Sequence, residues 1–317
     1  MTRVETAFTD LVGCRHPLQQ AAMGGVAGPE LAGAVARAGA LGMLCEFDLE
    51  SSPERMTQAL AIAEGGQVGM GFFGQWIESD LETFEVGADR LRVLEVFWSP
   101  PDPALVARAR RAGSALVAWQ VGSVDDARAA EDAGCDFVIA QGVEAGGHVR
   151  GTTPRGELLA AVLRAVTVPV VAAGGIATAS DVAATIDAGA AAVRVGTAFV
   201  ATEESRAHPA YVDALVAARS GDETVLTLAF AEGWPDAPHR VLASAIAAAE
   251  SFDGDVVGEA GPAGARYPVP RFGVSTPSRH ASGHVEAMAL YAGTGVGSVN
   301  DIRPAADVVA QLTSALD

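Results

Sequence analysis

Residues 141–148 read Gln-Gly-Val-Glu-Ala-Gly-Gly-His and follow an apolar run, Cys135 to Ala140, that is typical of a buried parallel strand. The adjacent glycines Gly146 and Gly147 leave the backbone bare enough for a flat, phosphate-bearing ligand to approach closely. His148, directly after them, places a titratable ring over whatever is bound. A strand that ends in a bare glycine turn and delivers a histidine is the pattern of a cofactor loop with a catalytic group attached.

Before and after this loop, apolar runs of the same kind recur at a steady interval along the chain. The eight predicted strands are Pro17–Ala22, Leu41–Cys45, Gln67–Phe73, Arg92–Phe97, Ala115–Gln120, Cys135–Ala140, Val168–Ala173 and Ala191–Val195. Segments with helical periodicity separate them, beginning at capping residues or proline and ending at glycine. The predicted helices with clear ends are Pro29–Ala38, Pro53–Glu64, Asp102–Ala112, Ser123–Ala133 and Thr178–Ala188.

Eight strands that alternate with helices over about 200 residues favour one α/β architecture, the (β/α)8 or TIM barrel. A doubly wound open sheet is the alternative, but it usually carries a G-x-G-x-x-G turn after its first strand. The first strand here ends instead in Ala22-Met23-Gly24-Gly25. The barrel is therefore the predicted fold.

The pattern changes after the eighth strand, where the sequence becomes alanine-rich and helical. The helical segments predicted there are Ala210–Arg219, Arg240–Ala249, Val285–Ala292 and Pro304–Leu316. Residues 254–283 form a Gly/Pro/Ser-rich stretch without periodicity. These features predict a barrel built from residues 1–204 and 284–317, with a smaller, mainly helical cap, residues 205–283, inserted after strand eight.

Composition removes several classes of function. The chain has 317 residues, of which 50% are apolar, with a net charge of −18 and a pI near 4.6. An acidic chain lacks the basic face that nucleic acids and anionic membranes require, so neither is an expected partner. All 21 basic residues are arginines, since the sequence contains no lysine. That excludes a Schiff-base lysine, a pyridoxal-phosphate aldimine and a P-loop lysine, because no other side chain performs that chemistry.

Cysteine spacing and the start of the chain bear on metal binding and location. Cys14, Cys45 and Cys135 are far apart, with no C-x-x-C spacing and no clustered histidines, so neither a disulfide framework nor a metal site is expected. Residues 1–10 lack an apolar signal core, and no stretch approaches the roughly 18 apolar residues of a membrane span. The predicted location is cytoplasmic, without membrane contact.

In a (β/α)8 barrel the working face is the rim where the strands end. Four predicted strand ends on this rim are rich in glycine. They are Ala22-Met23-Gly24-Gly25, Gly146-Gly147-His148, Gly174-Gly175-Ile176 and Gly196-Thr197. The last two, with the helix that begins at Thr178, are expected to form the usual phosphate site of barrels, where backbone N–H groups hold a dianion without lysine. Rim glycines can also be purely structural, but four such segments favour a ligand site.

His148 has two interpretations. A loop histidine can simply cap a helix or meet solvent, and for an isolated histidine that is the better interpretation. Its position after a Gly-Gly turn at a strand end favours a site role instead, because rim residues of barrels face the ligand. No role is assigned to the other five histidines, which are His16, His208, His239, His280 and His284.

The chain resembles the nitronate monooxygenase (formerly 2-nitropropane dioxygenase) family in five segments. They are Gln20–Gly25 (QAAMGG), Ala140–His148 (AQGVEAGGH), Val171–Ile176 (VAAGGI), Val195–Phe199 (VGTAF) and Ala287–Gly297. The resemblance covers essentially the whole chain, and the Gln-Gly-x-Glu-Ala-Gly-Gly-His run is very specific. It implies a (β/α)8 barrel that binds FMN non-covalently.

The resemblance also implies roles for individual residues. Ala22, Met23 and Gly24 would line the flavin, with Gln141 near its polar edge. His148 would be the catalytic base. The residues implied to hold the ribityl phosphate or to approach the ring are Gly146, Gly147, Gly174, Gly175, Gly196 and Thr197.

Two positions depart from the family pattern. Many members carry Asn at the end of strand three, where this chain has Met70-Gly71-Phe72. Some carry Lys at the end of strand five, near the flavin N1–C2=O edge, where this chain has Trp119-Gln120. A cation there stabilises the anionic reduced flavin, whereas Gln120 offers the cofactor only a neutral hydrogen bond. We therefore expect an altered flavin potential.

Three functions are compatible with these features. The first is oxidative denitrification of alkyl nitronates: the nitronate and O2 yield a carbonyl compound and nitrite without a nicotinamide, and His148 removes an α-proton or holds the nitronate charge. The second is an NAD(P)H-dependent FMN reductase of enoyl-thioester or quinone substrates, although carrier docking needs a basic patch that an acidic, lysine-free chain supplies poorly. The third is a non-catalytic flavin- or phosphate-binding barrel, which His148 makes the weakest of the three.

The sequence does not specify the substrate itself. Phe72, Phe73, Phe97 and Trp98 lie near the rim and indicate an apolar pocket, although core packing explains them equally well. The expected partners are a small molecule and O2, and a homodimer is a candidate assembly.

Overall fold

The computed structural model describes residues 4–45, 51–79, 81–261 and 265–316. The strands up to residue 195 are β1 (Leu18–Gln20), β2 (Gly42–Leu44), β3 (Val68–Phe73), β4 (Val93–Phe97), β5 (Leu116–Val121), β6 (Phe137–Gln141), β7 (Gly147–His148), β8 (Val170–Ala173) and β9 (Ala192–Val195). All except β7 form one parallel sheet in the order β1-β9-β8-β6-β5-β4-β3-β2. A parallel bridge between Gln19 and Leu41 joins β1 to β2 and closes the barrel. The predicted eight-stranded barrel is confirmed, and each strand overlaps its predicted run.

Helices alternate with the strands. They are α1 (Ala7–Val12), α2 (Pro29–Arg37), α3 (Ser52–Ala63), α4 (Leu81–Arg90), α5 (Pro103–Ala112), α6 (Val124–Asp132), α7 (Arg155–Leu163), α8 (Ala179–Asp187) and α9 (Thr197–Val200). The side chains of Ser123 and Thr178 cap α6 and α8, and the five predicted helices are confirmed to within a residue at each end. α1, α4, α7 and α9 lie outside the predicted ranges.

The interior of the barrel is packed, and α1 closes its lower end. Phe8 of α1 lies edge-on to Phe137, with ring centroids 5.4 Å apart. Apolar side chains such as Met43, Ile139 and Val171 fill the space above them. A second apolar layer lies between the strands and the outer helices. The end of the barrel that remains accessible is therefore the rim at the strand C-termini.

The segment after α9 has its own cluster of buried side chains, which includes Tyr211, Leu215 and Phe230. Its elements are α10 (Pro209–Ala217), β10 (Thr224–Thr227), β11 (His239–Leu242), α11 (Ala243–Ser251), β12 (Val256–Ala260), β13 (Tyr267–Pro270) and β14 (Ser282–Gly283). The strands form two three-stranded sheets, β10-β11-β7 and β13-β12-β14, so this cap holds more β-structure than its alanine-rich sequence indicates. The predicted domain boundaries at 204/205 and 283/284 stay predictions.

The chain returns to the barrel after the cap in two steps. The predicted helix Val285–Ala292 is wrong: only a 3-10 turn forms at Val285–Ala287. The residues after it are extended, because they pair with the edge of β11 through Leu242 N to Leu290 O (2.9 Å) and Ala292 N to Arg240 O (3.2 Å). The second predicted helix is confirmed as α12 (Ala305–Thr313).

The cap and the barrel share one sheet at the loop that follows β6. Strand β7, which is the Gly147-His148 pair itself, is antiparallel to β11, with His148 opposite His239 and Gly147 opposite Arg240. The position of the His148 ring therefore depends on the cap as well as on the barrel strand that precedes it.

Two further expectations concern the whole chain. All three cysteines are buried, and none of them forms a disulfide. Within the described ranges, the helices are too short or too polar to cross a membrane. Residues 1–3, which belong to the segment examined for a signal core, lie outside the described residues.

Candidate active site

A cavity of about 940 Å³ lies at the barrel rim, between the strand C-termini and the cap. Every residue predicted for the site lies on its wall, namely Ala22, Met23, Gly24, Gln120, Gln141, Gly146, Gly147, His148, Gly174, Gly175, Gly196 and Thr197. The structure thus brings these residues together in one place, while the role of each stays a prediction.

The ends of β8 and β9 form a corner of bare backbone amides. Gly174 and Gly175 have φ angles of 115° and 66°, a conformation that favours glycine and turns the chain sharply after β8. The N–H groups of Gly175 and Ile176 donate to no other group in the described part of the chain. Both residues line the cavity beside Gly196 and Thr197. Converging amides without protein partners are a typical phosphate site.

Two backbone amides just before α8 already have a protein acceptor. Oδ2 of Asp181 accepts hydrogen bonds from the N–H groups of Ala177 and Thr178, at 3.1 and 3.0 Å. This capping box satisfies those two amides and places a carboxylate beside them, which repels an anion. The loop amides after β8 are therefore available to a phosphate, whereas those of Ala177 and Thr178 are not.

The two glycines of the loop after β6 serve different needs. A Cβ on Gly146 would lie 2.5 Å from the backbone N of Gly293, so this glycine permits the returning chain to pass closely. Gly147 has a φ of 77°, and nothing lies within 4 Å of the position its Cβ would take. Gly147 therefore keeps the cavity wall bare, whereas Gly146 serves packing.

Gln141 places an unsatisfied acceptor on the cavity wall. Its Nε2 donates to the carbonyl oxygen of His148 at 3.0 Å, which ties the end of β6 to β7. Its Oε1 is buried and accepts no hydrogen bond from any described residue. A buried polar atom without a partner costs about 1–3 kcal/mol, which a ligand N–H group at this position would recover.

His148 faces the cavity as a neutral ring. It stacks on Trp234, with ring centroids 3.9 Å apart and planes 21° apart. Burial, assisted by the neighbouring His239, lowers the pKa of His148 to about 3. Its Nε2 is buried and has no hydrogen-bond partner within the described ranges. One imidazole nitrogen is therefore available to a bound molecule in largely apolar surroundings.

His239 is the second histidine of the site, although the sequence alone gave it no role. It is fully buried, with its ring centroid 5.3 Å from that of His148. Its Nε2 accepts from the N–H of Phe230 at 3.1 Å, so Nδ1 carries the proton and donates to the carbonyl of Ala237 at 2.9 Å. Burial lowers the pKa of His239, which keeps this ring neutral as well.

Comparison with known proteins decides the family. The profile of the nitronate monooxygenase family matches residues 5–66 and 84–315. The chain belongs to the nitronate monooxygenase family. Members of this family are flavin-dependent oxidoreductases, so the resemblance seen in the five sequence segments is confirmed.

Relatives of this nitronate monooxygenase family member differ in their named substrates. A (3aS,4S,5R,7aS)-5-hydroxy-7a-methyl-1-oxo-octahydro-1H-indene-4-carboxyl-CoA dehydrogenase from Rhodococcus jostii is 35% identical over 252 residues, covering 76% of this chain and 67% of that protein. A nitronate monooxygenase from Pseudomonas aeruginosa is 32% identical over 269 residues, covering 70% of this chain and 76% of that protein. Among solved structures, a nitroalkane oxidase from Streptomyces ansochromogenes has a TM-score of 0.74 and 30% identity, over 98% of both chains. FabK from Thermotoga maritima has a TM-score of 0.75 and 26% identity, over 99% of this chain and 96% of that one.

An aromatic wall, formed by Phe73, Trp76, Trp98 and Trp234, flanks His148 in this family member. Trp234 contacts the other three rings edge-on, at centroid distances of 5.4, 5.1 and 5.1 Å. Trp98 has a φ of 64°, which a bulky side chain rarely adopts, and its ring centroid lies 5.9 Å from that of His148. Backbone strain of this kind concentrates at functional sites, which fits the position of Trp98.

The four aromatic residues expected near the rim fall into two groups. Phe73 and Phe97 line the cavity, and Trp98 belongs to the aromatic wall. Phe72 is buried in the core, where its ring packs edge-on against Phe84 at 5.2 Å. The apolar pocket and core packing therefore each explain some of these side chains.

Gln120 and Gly71, the two positions that depart from the family pattern, each have a neighbour that the sequence did not indicate. Gln120 accepts a hydrogen bond from Arg194, which also forms an ion pair with Glu95, so a cation lies against the glutamine that was expected to act alone. A Cβ at Gly71 would lie 2.5 Å from the Cβ of Ala22, so Ala22 fills the space that a longer side chain at position 71 would need.

Several cavity residues had no role on sequence grounds. They are Arg194, Trp234, Tyr291, Gly293 and Gly295. The return segment carried a signal, because it belongs to the Ala287–Gly297 stretch that resembles the family, and Gly293 N donates to Thr197 Oγ1 at 3.1 Å. Arg194 carried another, since a charge inside an otherwise apolar strand needs a buried partner or a ligand. Trp234 lies between predicted elements, and Tyr291 lies in the wrongly predicted helix Val285–Ala292, so no pattern indicated a site at either residue.

Proposed function

We propose that this chain is an FMN-dependent nitronate monooxygenase, which converts an alkyl nitronate and O2 into a carbonyl compound and nitrite. The observation that carries the proposal is the buried Nε2 of His148, which has no described partner and lies beside a cavity with bare glycine walls. A nitronate is an anion, and a hydrogen-bond donor in dry surroundings stabilises such charge strongly. The family membership and the named activities of the Pseudomonas and Streptomyces relatives support this choice.

The cavity wall fits FMN at three places. The amides of Gly175 and Ile176 would hold its phosphate, Oε1 of Gln141 would accept from an N–H of its ring system, and the bare backbone at Gly147 would admit a flat ring. When bound, FMN takes electrons from the substrate and passes them to O2.

The protein's own contribution is a fixed, neutral imidazole. Stacking on Trp234 and the pairing of β7 with β11 hold the ring of His148 in one orientation. Its low pKa opposes a lone positive charge there, but proton transfer from a neutral nitroalkane would create an imidazolium and a nitronate together, and the anion offsets the cost of burial. With a preformed nitronate, the other neutral tautomer, protonated at Nε2, would donate a hydrogen bond from the same nitrogen. The stacked ring of Trp234 covers one face of the imidazole and so strengthens both interactions.

We expect the purified protein to be yellow and to carry about one FMN per chain without a covalent bond, because the amide corner supplies a phosphate site without lysine. Heat or acid should release intact flavin, which chromatography and mass spectrometry would identify as FMN. A colourless protein that takes up no added FMN would contradict the proposal, and FAD in the extract would place the phosphate contacts elsewhere.

A second candidate function, NAD(P)H-dependent reduction of a thioester, is favoured by positive charge on the outer part of the cavity. Arg55, Arg206 and Arg279 line the cavity, where the facing carboxylate of Glu30 pairs with Arg206 at 3.1 Å. A local excess of arginine in an acidic chain attracts the phosphates of coenzyme A or a nicotinamide nucleotide. The coenzyme A thioester named for the Rhodococcus relative points in the same direction.

One anaerobic experiment separates the two candidates. The flavin-loaded protein is mixed with a nitronate and, separately, with NADH or NADPH, while the visible absorbance of the flavin is followed. A nitronate monooxygenase is expected to bleach with the nitronate and to stay oxidised with both nicotinamides. Rapid bleaching by a nicotinamide, with none by the nitronate, would replace the proposed function by the reductase.

A further inference from the structure

A row of buried polar side chains crosses the interior of the barrel beside the cavity. Nε2 of Gln19 donates to Oε2 of Glu95 at 2.9 Å, and Nη1 of Arg194 donates to Oε1 of Glu95 at 2.5 Å. The same Nη1 donates to Oε1 of Gln120 at 2.5 Å. The exposed fractions are 0% for Gln19, 1% for Glu95, 3% for Gln120 and 8% for Arg194. We call these four residues the floor network.

Arg194, the positively charged member of the floor network, lies on the cavity wall. Arg194 and Gln120 lie on the cavity wall, whereas Glu95 and Gln19 do not. Among the described residues, partners are found only for Nη1 of Arg194, so its Nε and Nη2 donors have no protein acceptor. A guanidinium carries five N–H donors in a rigid fork, and most of them are therefore left for a ligand.

Stability alone does not explain this ion pair. Burial removes two charges from water, and their mutual attraction often fails to recover that cost. Most other interior side chains of the barrel are apolar, such as Met43, Ile139 and Val171, and need no partner. A charge kept among them, with donors on the cavity wall, points to a bound group that requires it.

We propose that Arg194 stabilises the negative charge that FMN acquires on its pyrimidine ring when it is reduced, an inference that rests on the proposed function. Positive charge next to a flavin ring raises its affinity for electrons. Gln120 is a positioning residue, because its Oε1 holds the guanidinium while its Nε2 stays available to the ring. Glu95 accepts from the same Nη1 of Arg194 and moderates its charge. Some family members carry a lysine at the position of Gln120. In this chain Arg194 of β9 supplies the positive charge instead.

Sulfite is the probe for this charge. It adds to oxidised flavin and gives the ring system an additional negative charge, so its affinity increases with local positive charge. The reduction potential of bound FMN reports the same property, and a tenfold change in a two-electron equilibrium corresponds to about 30 mV. Neither measurement depends on turnover of a substrate.

Three variants separate charge from structure. Arg194→Lys keeps the charge, and we expect its sulfite affinity to stay within about threefold of the wild type. The double variant Glu95→Gln/Arg194→Gln removes both charges without leaving an unpaired buried ion, and we expect about tenfold weaker sulfite binding and a potential about 30 mV lower. Glu95→Gln alone leaves Arg194 without its counter-charge, so sulfite should bind more tightly and the potential should rise.

Flavin content and melting temperature, measured for each variant, identify any loss of folding. Unchanged sulfite affinity in the double variant would overturn the inference. If the double variant does not fold, Glu95→Gln decides the question, because equal or weaker sulfite binding contradicts a cation at the ring. Wild-type protein that takes up no FMN refutes the proposed function instead, so the two failures are distinguishable.

Discussion

Gly196→Asp is expected to lose FMN, whereas Gly196→Asn, which has almost the same shape, is expected to keep it. Gly196 lies on the cavity wall beside the amide corner, with an ordinary φ of −114°. A Cβ there would meet Ala21 and Met23 only at normal van der Waals distances, 3.5 and 3.6 Å, so both variants should fold. Two like charges about 4 Å apart repel by about 4 kcal/mol in a partly dry site. We therefore expect the aspartate to weaken FMN binding on the order of 100-fold or more.

The measurement is a fluorescence titration of the flavin-free protein with FMN, with the Asn variant as the neutral control and the melting temperature as the check on folding. Equal dissociation constants for the two variants would place the phosphate away from β9. Gly175 is the more obvious position on sequence grounds, but it cannot serve. Its φ is 66°, and a Cβ would lie 2.6 Å from Thr294 Oγ1, so any side chain there would disturb the backbone as well as the ligand.

The barrel and its rim could be predicted because the residues that specify each strand and helix lie close together in the sequence. Most barrel strands are largely apolar, and most are followed by a helix whose cap and terminal glycine stand in the adjacent sequence. Once the strands are parallel, their carboxyl ends meet at one rim. Gly24, Gly146, Gly175 and Gly196 therefore had to share a site, although they are far apart in the chain.

The features that the sequence did not reveal depend on contacts between distant segments. His239 is next to His148 only because β11 pairs with β7. Residues 288–292 have a helix-forming composition, but backbone hydrogen bonds to β11 hold them extended, so the partner overrides local propensity. Arg194 meets Gln120 and Glu95 across the barrel interior, which no spacing within one strand can show. The altered flavin potential expected from Gln120 stays a prediction, and Arg194 beside it bears on the direction of that change.

His148→Ala is expected to keep FMN and to lose about 10²–10⁴-fold in turnover, the usual effect of a positioned acid or base. We expect flavin retention because the proposed phosphate site lies at the ends of β8 and β9 and does not include the His148 side chain. The matched control is His284→Ala, the same change at a histidine whose side chain is 59% exposed and pairs with Glu286. The control should leave turnover, flavin content and melting temperature unchanged.

The two possible roles of His148 predict different losses of turnover with a nitroalkane and with a nitronate. A neutral nitroalkane must lose its α-proton, whereas a preformed nitronate needs only stabilisation of its charge, so a base predicts the larger loss with the nitroalkane. Because the pKa of His148 is lowered to about 3, we also expect wild-type turnover of a nitronate to show no inflection near the ordinary histidine pKa of about 6.5. Equal losses on both substrates would identify His148 as an anion-binding group and not as a base. Small losses on both, together with a lower melting temperature, would reduce the ring to a packing partner of Trp234.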